Sequence, residues 1–521
     1  MKAKLLSALS ILLIAALLAP LSAAAQTDEI PIYVPADEAR ALAQTGADSE
    51  GLSLDAESEV PQIRVTTENG NGTTLQKADG YVKAEISITD VDGSELTDSV
   101  NFKVRGNTTA MTAIPKKAFA FKFAKKKNVL GMGSGKKWAL IASAFDTTLL
   151  RNYLTFELAY ELGIDYTSNQ KYVELWVDGS YRGCYILYEP VQAGKDRVDI
   201  DIDGNDGKKD FLIEYEAQRV EDDKTYFTVD GLRFIASEPE DPDEEQLEYI
   251  TGTMQNIINV LKSGDEAAAR EVIDLDSFAK FYLLNDFVKT YDFDMSSVFF
   301  YYKDGKLYAG PAWDYDLSAG NENSEAYSSR RIRDAASTEY LFAAGKNMFR
   351  YLSGREWFMD RVGEVYDEHF AFFTDLYAEG GLMDRTRAEY WNLFARNFAK
   401  GVWSVSRPWI NIQKVPYATY NENFEFLRNW YKQRNEWLSA YFGVPYVLLG
   451  DADDDGEVNI VDATTICRQA LSIPLKTKFV PGAADIDGDG EITVVDATFI
   501  CRFDARISTP YPIGEKKRRT I

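Results

Sequence analysis

Histidine is almost missing from this chain: His369 stands alone among 521 residues. That scarcity nearly excludes a Ser-His-Asp or Cys-His catalytic unit and any multi-histidine zinc site. Basic residues are in deficit, 57 Lys+Arg against 82 Asp+Glu, for a net charge of −25. A nucleic-acid binder needs Lys and Arg along the phosphates, so that class is disfavoured, as is docking on anionic membranes. Cysteine is scarce too: Cys184, Cys467 and Cys501 do not make a disulfide framework in so long a chain. Past the N-terminus no apolar run reaches about 18 residues, the length of a membrane span. What remains for chemistry is carboxylates, lysines, hydroxyls and hard cations. With 45% hydrophobic and 13% aromatic residues there is ample material for a large core.

Residues 1–25 read as a secretory signal, with Lys2 and Lys4, an apolar run from Leu5 to Leu18, and Ala23-Ala24-Ala25 before the expected cleavage site. The expected product is secreted, extracellular or on the cell surface, with no membrane contact after cleavage. Residues 26–60 carry nine acids and one Arg and read as a disordered leader. From Pro61 short alternating runs predict strands; Phe119, Phe121 and Phe123 fall on one face, and Ala118, Ala120 and Lys122 on the other. Leucine spacing predicts a helix over about 147–162, and helices follow over 245–261 and 275–290. Ser297–Tyr302 and Lys306–Ala309 predict a hairpin turning at Asp304-Gly305, and 330–443 reads as helical. The fold class is α+β: a β-rich N-terminal part, then a mostly helical part over 61–443. A short linker (444–449), a small α module (450–510) and a basic tail (511–521) complete the chain.

That small module carries a repeat. Asp451, Asp453 and Asp455, Gly456, Glu457, Asn459 and Asp462 occupy the positions of a twelve-residue calcium loop. Asp485, Asp487, Asp489, Gly490, Glu491, Thr493 and Asp496 repeat it at an offset of 34, and a short apolar helix follows each loop. Calcium takes six to eight hard oxygens, and this spacing wraps them round one point. One such loop is readily a solvated acidic turn; two in register are not. The loop-helix duplicate resembles the dockerin module, which plugs cargo into cohesin-bearing scaffoldins of cellulosomes. The resemblance implies two Ca2+ ions, a cohesin partner, and contacts near Ala463-Thr464 and Ala497-Thr498. Cys467 and Cys501 are equivalent repeat positions, so duplication explains their spacing and free thiols are expected.

A second acidic constellation runs from Thr290 to Asn321. Asp292 and Asp314 flank the hairpin, which returns the chain to its start and lets both converge on one metal. Protein kinases share this layout: a catalytic Asp, a metal ligand just beyond it (here Ser297), a hairpin, then a metal-binding Asp. Turn aspartates packed beside aromatics would give the same spacing. Arg105-Gly-Asn-Thr-Thr, Pro115-Lys-Lys-Ala-Phe-Ala-Phe-Lys-Phe, Lys137-Trp-Ala-Leu-Ile-Ala, Leu150-Arg-Asn-Tyr-Leu, Glu157-Leu-Ala, Val173-Glu-Leu-Trp-Val-Asp-Gly and Gly310-Pro-Ala-Trp-Asp-Tyr-Asp add to it. In order and over about 61–440, these segments resemble the CotH family of spore-coat, kinase-like proteins.

The resemblance implies an atypical protein-kinase fold of two lobes and, in some members, transfer of phosphate from ATP to protein Ser or Thr. Carried over, Asp292 is the catalytic residue, Asp314 the magnesium ligand, with Asp316 and Ser297 as companions. Lys122 is the phosphate-holding lysine, with Lys116 and Lys117 as alternatives; Glu157 is its partner and Arg105 lies near the phosphates. Thr290 departs from the Asn of many relatives. Three functions stand open: a cellulosome-bound protein kinase using Mg2+ and ATP on a protein Ser/Thr substrate, a non-catalytic structural or adhesion component, and a carbohydrate-active enzyme with Trp and Tyr of 390–430 against sugars. His369, among Phe370, Phe372 and Phe373, is expected to pack rather than to act as a base.

Overall fold

In the computed structural model, residues 59–518 are described except 204–208, 222–223, 326–328, 400–401, 444–445 and 476. The expected signal and nearly all of the leader lie outside the described residues. Alternating strands β1 (Gln62–Thr67), β2 (Val82–Thr89), β3 (Glu95–Arg105), β4 (Ala118–Asn128) and β5 (Ser134–Ile141) form a meander. Helix α1 (Arg151–Glu161) precedes β6 (Gln170–Val177) and β7 (Ser180–Tyr188). The strands close into a barrel in the order β1-β2-β3-β4-β5-β7-β6, sealed by parallel pairing of β1 with β6. Phe119, Phe121 and Phe123 all point inward with Phe102, Trp138 and Tyr185, as the alternation predicts. The opposite face of β4 leaves Ala120 and Lys122 on the outer surface, in register with Lys103 and Asn101 of β3.

A second sheet, which the sequence showed only in pieces, follows the barrel. It joins β8 (Phe211–Tyr215), β9 (Tyr226–Val229), β10 (Leu232–Glu238), β11 (Val298–Lys303) and β12 (Lys306–Ala309) in the order β12-β11-β8-β10-β9. The β11–β12 hairpin turns on Asp304 (φ 50°) and Gly305 (φ 88°), the paired left-handed residues that a two-residue turn requires. Helices α2 (Glu244–Ser263), α3 (Glu266–Val272), α4 (Leu275–Val288), α5 (Arg330–Ala336), α6 (Glu356–Glu368), α7 (Phe370–Asp375), α8 (Leu382–Asn397) and α9 (Tyr420–Phe442) complete this part. Its centre is α4, apolar nearly all round and buried along almost its whole length. Phe349 serves as an aromatic hub, its ring against Phe278, Phe281, Phe293 and Phe358. From α9, the fully buried Arg434 pairs with Asp286 of α4 and donates to the Thr338 and Tyr340 carbonyls.

The C-terminal module is separate in its core. Helices α10 (Ile460–Ala470), α11 (Pro481–Ala484) and α12 (Val494–Asp504) enclose Leu449, Ala463, Ile466, Ala497 and Ile500. Strand β13 (Tyr446–Leu448) of the expected linker pairs antiparallel with β14 (Lys516–Arg518) of the tail, so both ends of the module are fastened together. Cys467 and Cys501 are free thiols. Among the described residues no helix is long and apolar enough to cross a membrane.

The Asp286–Arg434 pair yields a test. Asp286→Ala strands a guanidinium that is 0% exposed, and the expected loss is about 3–5 kcal/mol of unfolding free energy in urea titration. A loss below about 1 kcal/mol would show that the pair is not needed.

Candidate functional sites

The descent from α4 sets the first site. Lys289 ends the helix in the left-handed region (φ 51°), and the chain tightens into a single turn, Tyr291–Asp294, that presents Asp292. The Asp292 carbonyl accepts from the amides of Met295 (2.7 Å) and Ser296 (3.0 Å). The hairpin then carries the chain out and back to Asp314, also left-handed at φ 67°. Ser297 Oγ donates to Asp314 Oδ2 at 3.4 Å, so the two ends of the hairpin meet. Asp314 is exposed at the surface, yet the protein packed round its carboxyl raises its pKa, with Arg105 opposing the rise. Burial, then the charge of Asp314, pushes the Asp292 carboxyl up to about 7. Asp316 is buried beside them and raised further by burial, Asp314 and Asp292.

A fourth carboxylate is one that the sequence spacing does not single out. Glu214 on β8 lies opposite Phe299 of β11, and its Oε1 accepts from the Ser297 amide at 3.2 Å. Burial, then Glu216, raises it to about 7, with Asp314 adding to the effect. The available signal was a period-2 acid pair, Glu214 and Glu216, at the end of an otherwise apolar strand. Glu216 is occupied locally: its Oε1 accepts from the amides of Gln218 and Arg219, each at 2.8 Å.

The cation facing these acids is Arg105, at the end of β3. Its guanidinium lies 5.2 Å from the Trp313 ring centroid; burial lowers its pKa while Asp314 and Glu214 oppose that shift. Arg219 acts electrostatically on both Asp292 and Asp314, and Arg331 on Asp292. Lys122 shares the outer barrel face with Arg105, four positions along β4 from Ala118, which pairs with Arg105. It forms no ion pair among the described residues. Glu157 is not brought to Lys122: its carboxylate accepts from Gln170 Nε2 at 3.0 Å. Lys116 and Lys117 are buried and donate to main-chain carbonyls, Lys116 to Cys184 O (2.9 Å) and Lys117 to Ala110 O (3.2 Å). Thr290 hydrogen-bonds Leu317 O at 3.4 Å, and His369 Nδ1 meets Glu161 Oε1 at 3.0 Å, distant in sequence from the acids.

The two repeat loops form the second kind of site. Carboxylate oxygens of Asp451, Asp453 and Asp462 lie within 4.8 Å of one another, as do those of Asp485, Asp487 and Asp489. Asp453 Oδ1 is buried without a hydrogen-bond partner, and burial, Asp455 and Asp451 raise the Asp453 pKa. An orphaned oxygen among like charges is the donor set a hard dication fits. The twelfth residue has a second job. Asp462 accepts from the amides of Ala452 (2.7 Å) and Asn459 (2.9 Å), and Asp496 from Ile486 (2.8 Å) and Thr493 (2.8 Å). Each thus locks its loop and closes a capping box on the following helix. Asn459 and Thr493 are the N-caps, accepting from Val461 (2.8 Å) and Val495 (3.1 Å). Glycines at φ 89° (Gly456) and 85° (Gly490) make the sharp turns. Ala463 and Ala497, expected at a contact face, turn into the core instead, while Thr464 and Thr498 face outward.

Comparison with known families decides what frames these sites. Residues 102–438, more than half of the chain, match the model described as CotH kinase protein. The chain belongs to the CotH family. Residues 449–503 match the Dockerin type I domain, so this CotH protein carries a C-terminal dockerin, and that domain implies calcium binding. No curated protein matches it.

Two predictions follow from the charges. Asp292 folds with its pKa raised from the ordinary 3.8 to about 7, so its contribution to stability is full below pH ~4 and is lost as pH rises through 7. Between pH 4 and 7 the metal-free CotH protein should therefore lose stability, and Asp292→Asn should lose less; parallel urea curves at both pH values would contradict this. In the dockerin, chelating calcium should abolish cooperative unfolding of 446–518 while leaving the CotH-domain transition in place. A chelator-insensitive dockerin transition would count against the ligand assignment.

Proposed function

We propose that this CotH protein is an exported atypical Ser/Thr protein kinase, carried on a cohesin-bearing cellulosomal scaffoldin by its dockerin. On this reading the barrel corresponds to a kinase N-lobe, the second sheet and helices to a C-lobe, and ATP to the cleft between them. The observation that carries it is the convergence of Asp292, Ser297, Asp314 and Glu214, with the half-buried guanidinium of Arg105 and the charge of Arg219 acting on them.

Those residues fit a magnesium-bound polyphosphate: crowded carboxylates on one side, a cation with a planar donor fork on the other. Asp314, with Ser297 beside it, would hold Mg2+, and Arg105 the phosphate oxygens, with Lys122 further along the same face. Magnesium, when bound, neutralises charge on the transferring phosphoryl group. Asp292 receives the acceptor hydroxyl's proton; a carboxylate whose proton affinity is raised toward neutrality is better suited to that task than an ordinary Asp. Glu214 holds the Ser297 amide and so fixes where the hairpin begins.

The Glu157–Gln170 bond, in place of a Lys122–Glu157 pair, favours a second reading, a binding component without catalysis. A carbohydrate-active enzyme is less supported: of the 390–430 aromatics Trp391, Tyr420 and Trp430 are buried in the core, Trp403 and Trp409 are half-buried, and Tyr417 is exposed. For the dockerin, apolar residues stand exposed at matched positions: Ile460 and Val461 at 52% and 48%, Val494 and Val495 at 52% and 48%. Such a duplicated apolar pair supports cohesin docking through either repeat.

Purified full-length protein with labelled ATP, Mg2+ and a Ser/Thr-rich protein substrate tests the proposal. Asp292→Ala should slow transfer by about 10²–10⁴-fold, and Asp314→Ala should remove magnesium-dependent ATP binding. Absence of both binding and transfer in the wild type would leave the binding-component reading.

A further inference from the structure

The segment after Asp314 is held in a costly shape. Asp314 (φ 67°) and Ala319 (φ 46°) are both left-handed without being glycine. Such residues persist only where surrounding contacts over-determine them. Part of that restraint comes from the 290–297 turn and the end of α4: Tyr291 N donates to Leu317 O at 2.8 Å and Ala319 N to Val288 O at 2.7 Å.

Asn321 Nδ2 and Ser318 Oγ tie the loop to itself, donating to Asp316 O (2.8 Å) and Tyr315 O (2.7 Å), and a further restraint comes from the first turn of α1, more than 150 residues away in sequence. Arg151 splits its guanidinium three ways: Nε to Ser318 O at 2.9 Å, Nη2 to Ala319 O at 3.3 Å, and Nη1 to Asp146 Oδ1 at 2.6 Å. Asp146 is anchored in turn, its Oδ2 accepting from the Arg151 amide at 2.8 Å and its Oδ1 from Thr148 N at 3.0 Å. Next to Arg151, Asn152 Oδ1 accepts from the Tyr315 amide at 2.8 Å, one residue past Asp314. Arg151 and Asn152 are 3% and 2% exposed. Among the described residues Asn152 Nδ2 has no hydrogen-bond partner, and its acceptor oxygen is the atom the loop uses.

We propose that Arg151 and Asn152 are positioning residues that hold the Asp314–Ala319 loop in its left-handed shape and thereby aim Asp314. The inference rests on the kinase reading for what Asp314 is aimed at, but not for the restraint itself. A lysine at 151 would keep the charge toward Asp146 yet could not reach two carbonyls at once, because only the guanidinium fork spans them.

The experiment compares Arg151→Lys and Asn152→Ala with Thr155→Val in the full-length protein. Thr155 lies one turn along the same helix and gives a buried hydrogen bond to Arg151 O (2.7 Å), so its loss matches in energy without touching the loop. Amide exchange over 312–319 should accelerate about tenfold in the first two variants, the worth of one buried hydrogen bond, with helix 275–288 unchanged. The Mg2+ concentration giving half-maximal ATP binding should rise by a similar factor, and Thr155→Val should change neither. Unchanged loop exchange, equal acceleration in Thr155→Val, or a loosened loop with an unaltered magnesium requirement would each overturn the proposal. If wild-type protein binds no Mg-ATP, the kinase reading fails and the exchange comparison still decides whether Arg151 and Asn152 hold the loop.

Discussion

Like charges that cannot all stay ionised in one place govern this CotH protein at both of its sites. At the first site burial raises the proton affinity of Asp292, Asp314, Asp316 and Glu214, and the charge of Asp314 adds to the rise at the other three, with Arg105 and Arg219 set against Asp314. In the dockerin, Asp453 does the same beside Asp451 and Asp455. The dockerin loops offer the oxygen ligands a hard cation takes, and neither place draws on histidine. The scarcity of histidine and the acidity of the chain are thus two sides of one choice of chemistry.

Holding such a cluster takes a rigid frame, because repulsion would otherwise open it. The frame is α4, buried among Phe278, Phe281, Phe287 and their neighbours, and locked by Arg434 of α9. From its end the Asp292 turn, hairpin and Asp314 loop descend in sequence, and each junction is a non-glycine residue in the left-handed region: Lys289, Ser297, Asp314. Backbone strain at these junctions places side chains that a relaxed chain would direct elsewhere.

Much of this was legible in the sequence where the causes are local. The calcium loops declare themselves by spacing, the hairpin by Asp304-Gly305, and the barrel interior by alternating phenylalanines. Non-local causes were not legible. Glu214 reaches Ser297 only because β8 inserts between β10 and β11, a pairing that no local pattern encodes. Glu157 was matched to Lys122 by likeness to kinases, whereas the packing of α1 on β6 gives it Gln170. Ala463 and Ala497 were placed on a contact face, but the helical stripe that buries Ile466 and Ile500 takes them inward as well. Asp462 and Asp496 stand where the usual calcium loop has glutamate; as capping-box residues they also fasten each loop to its helix.

The most direct measurement is anomalous diffraction from crystals of the full-length protein soaked with Mn2+ and a non-hydrolysable ATP analogue. The account predicts manganese at Asp314, with the phosphates toward Arg105, in addition to metal in the two dockerin loops. Manganese confined to the dockerin, with no nucleotide in the cleft, would contradict it.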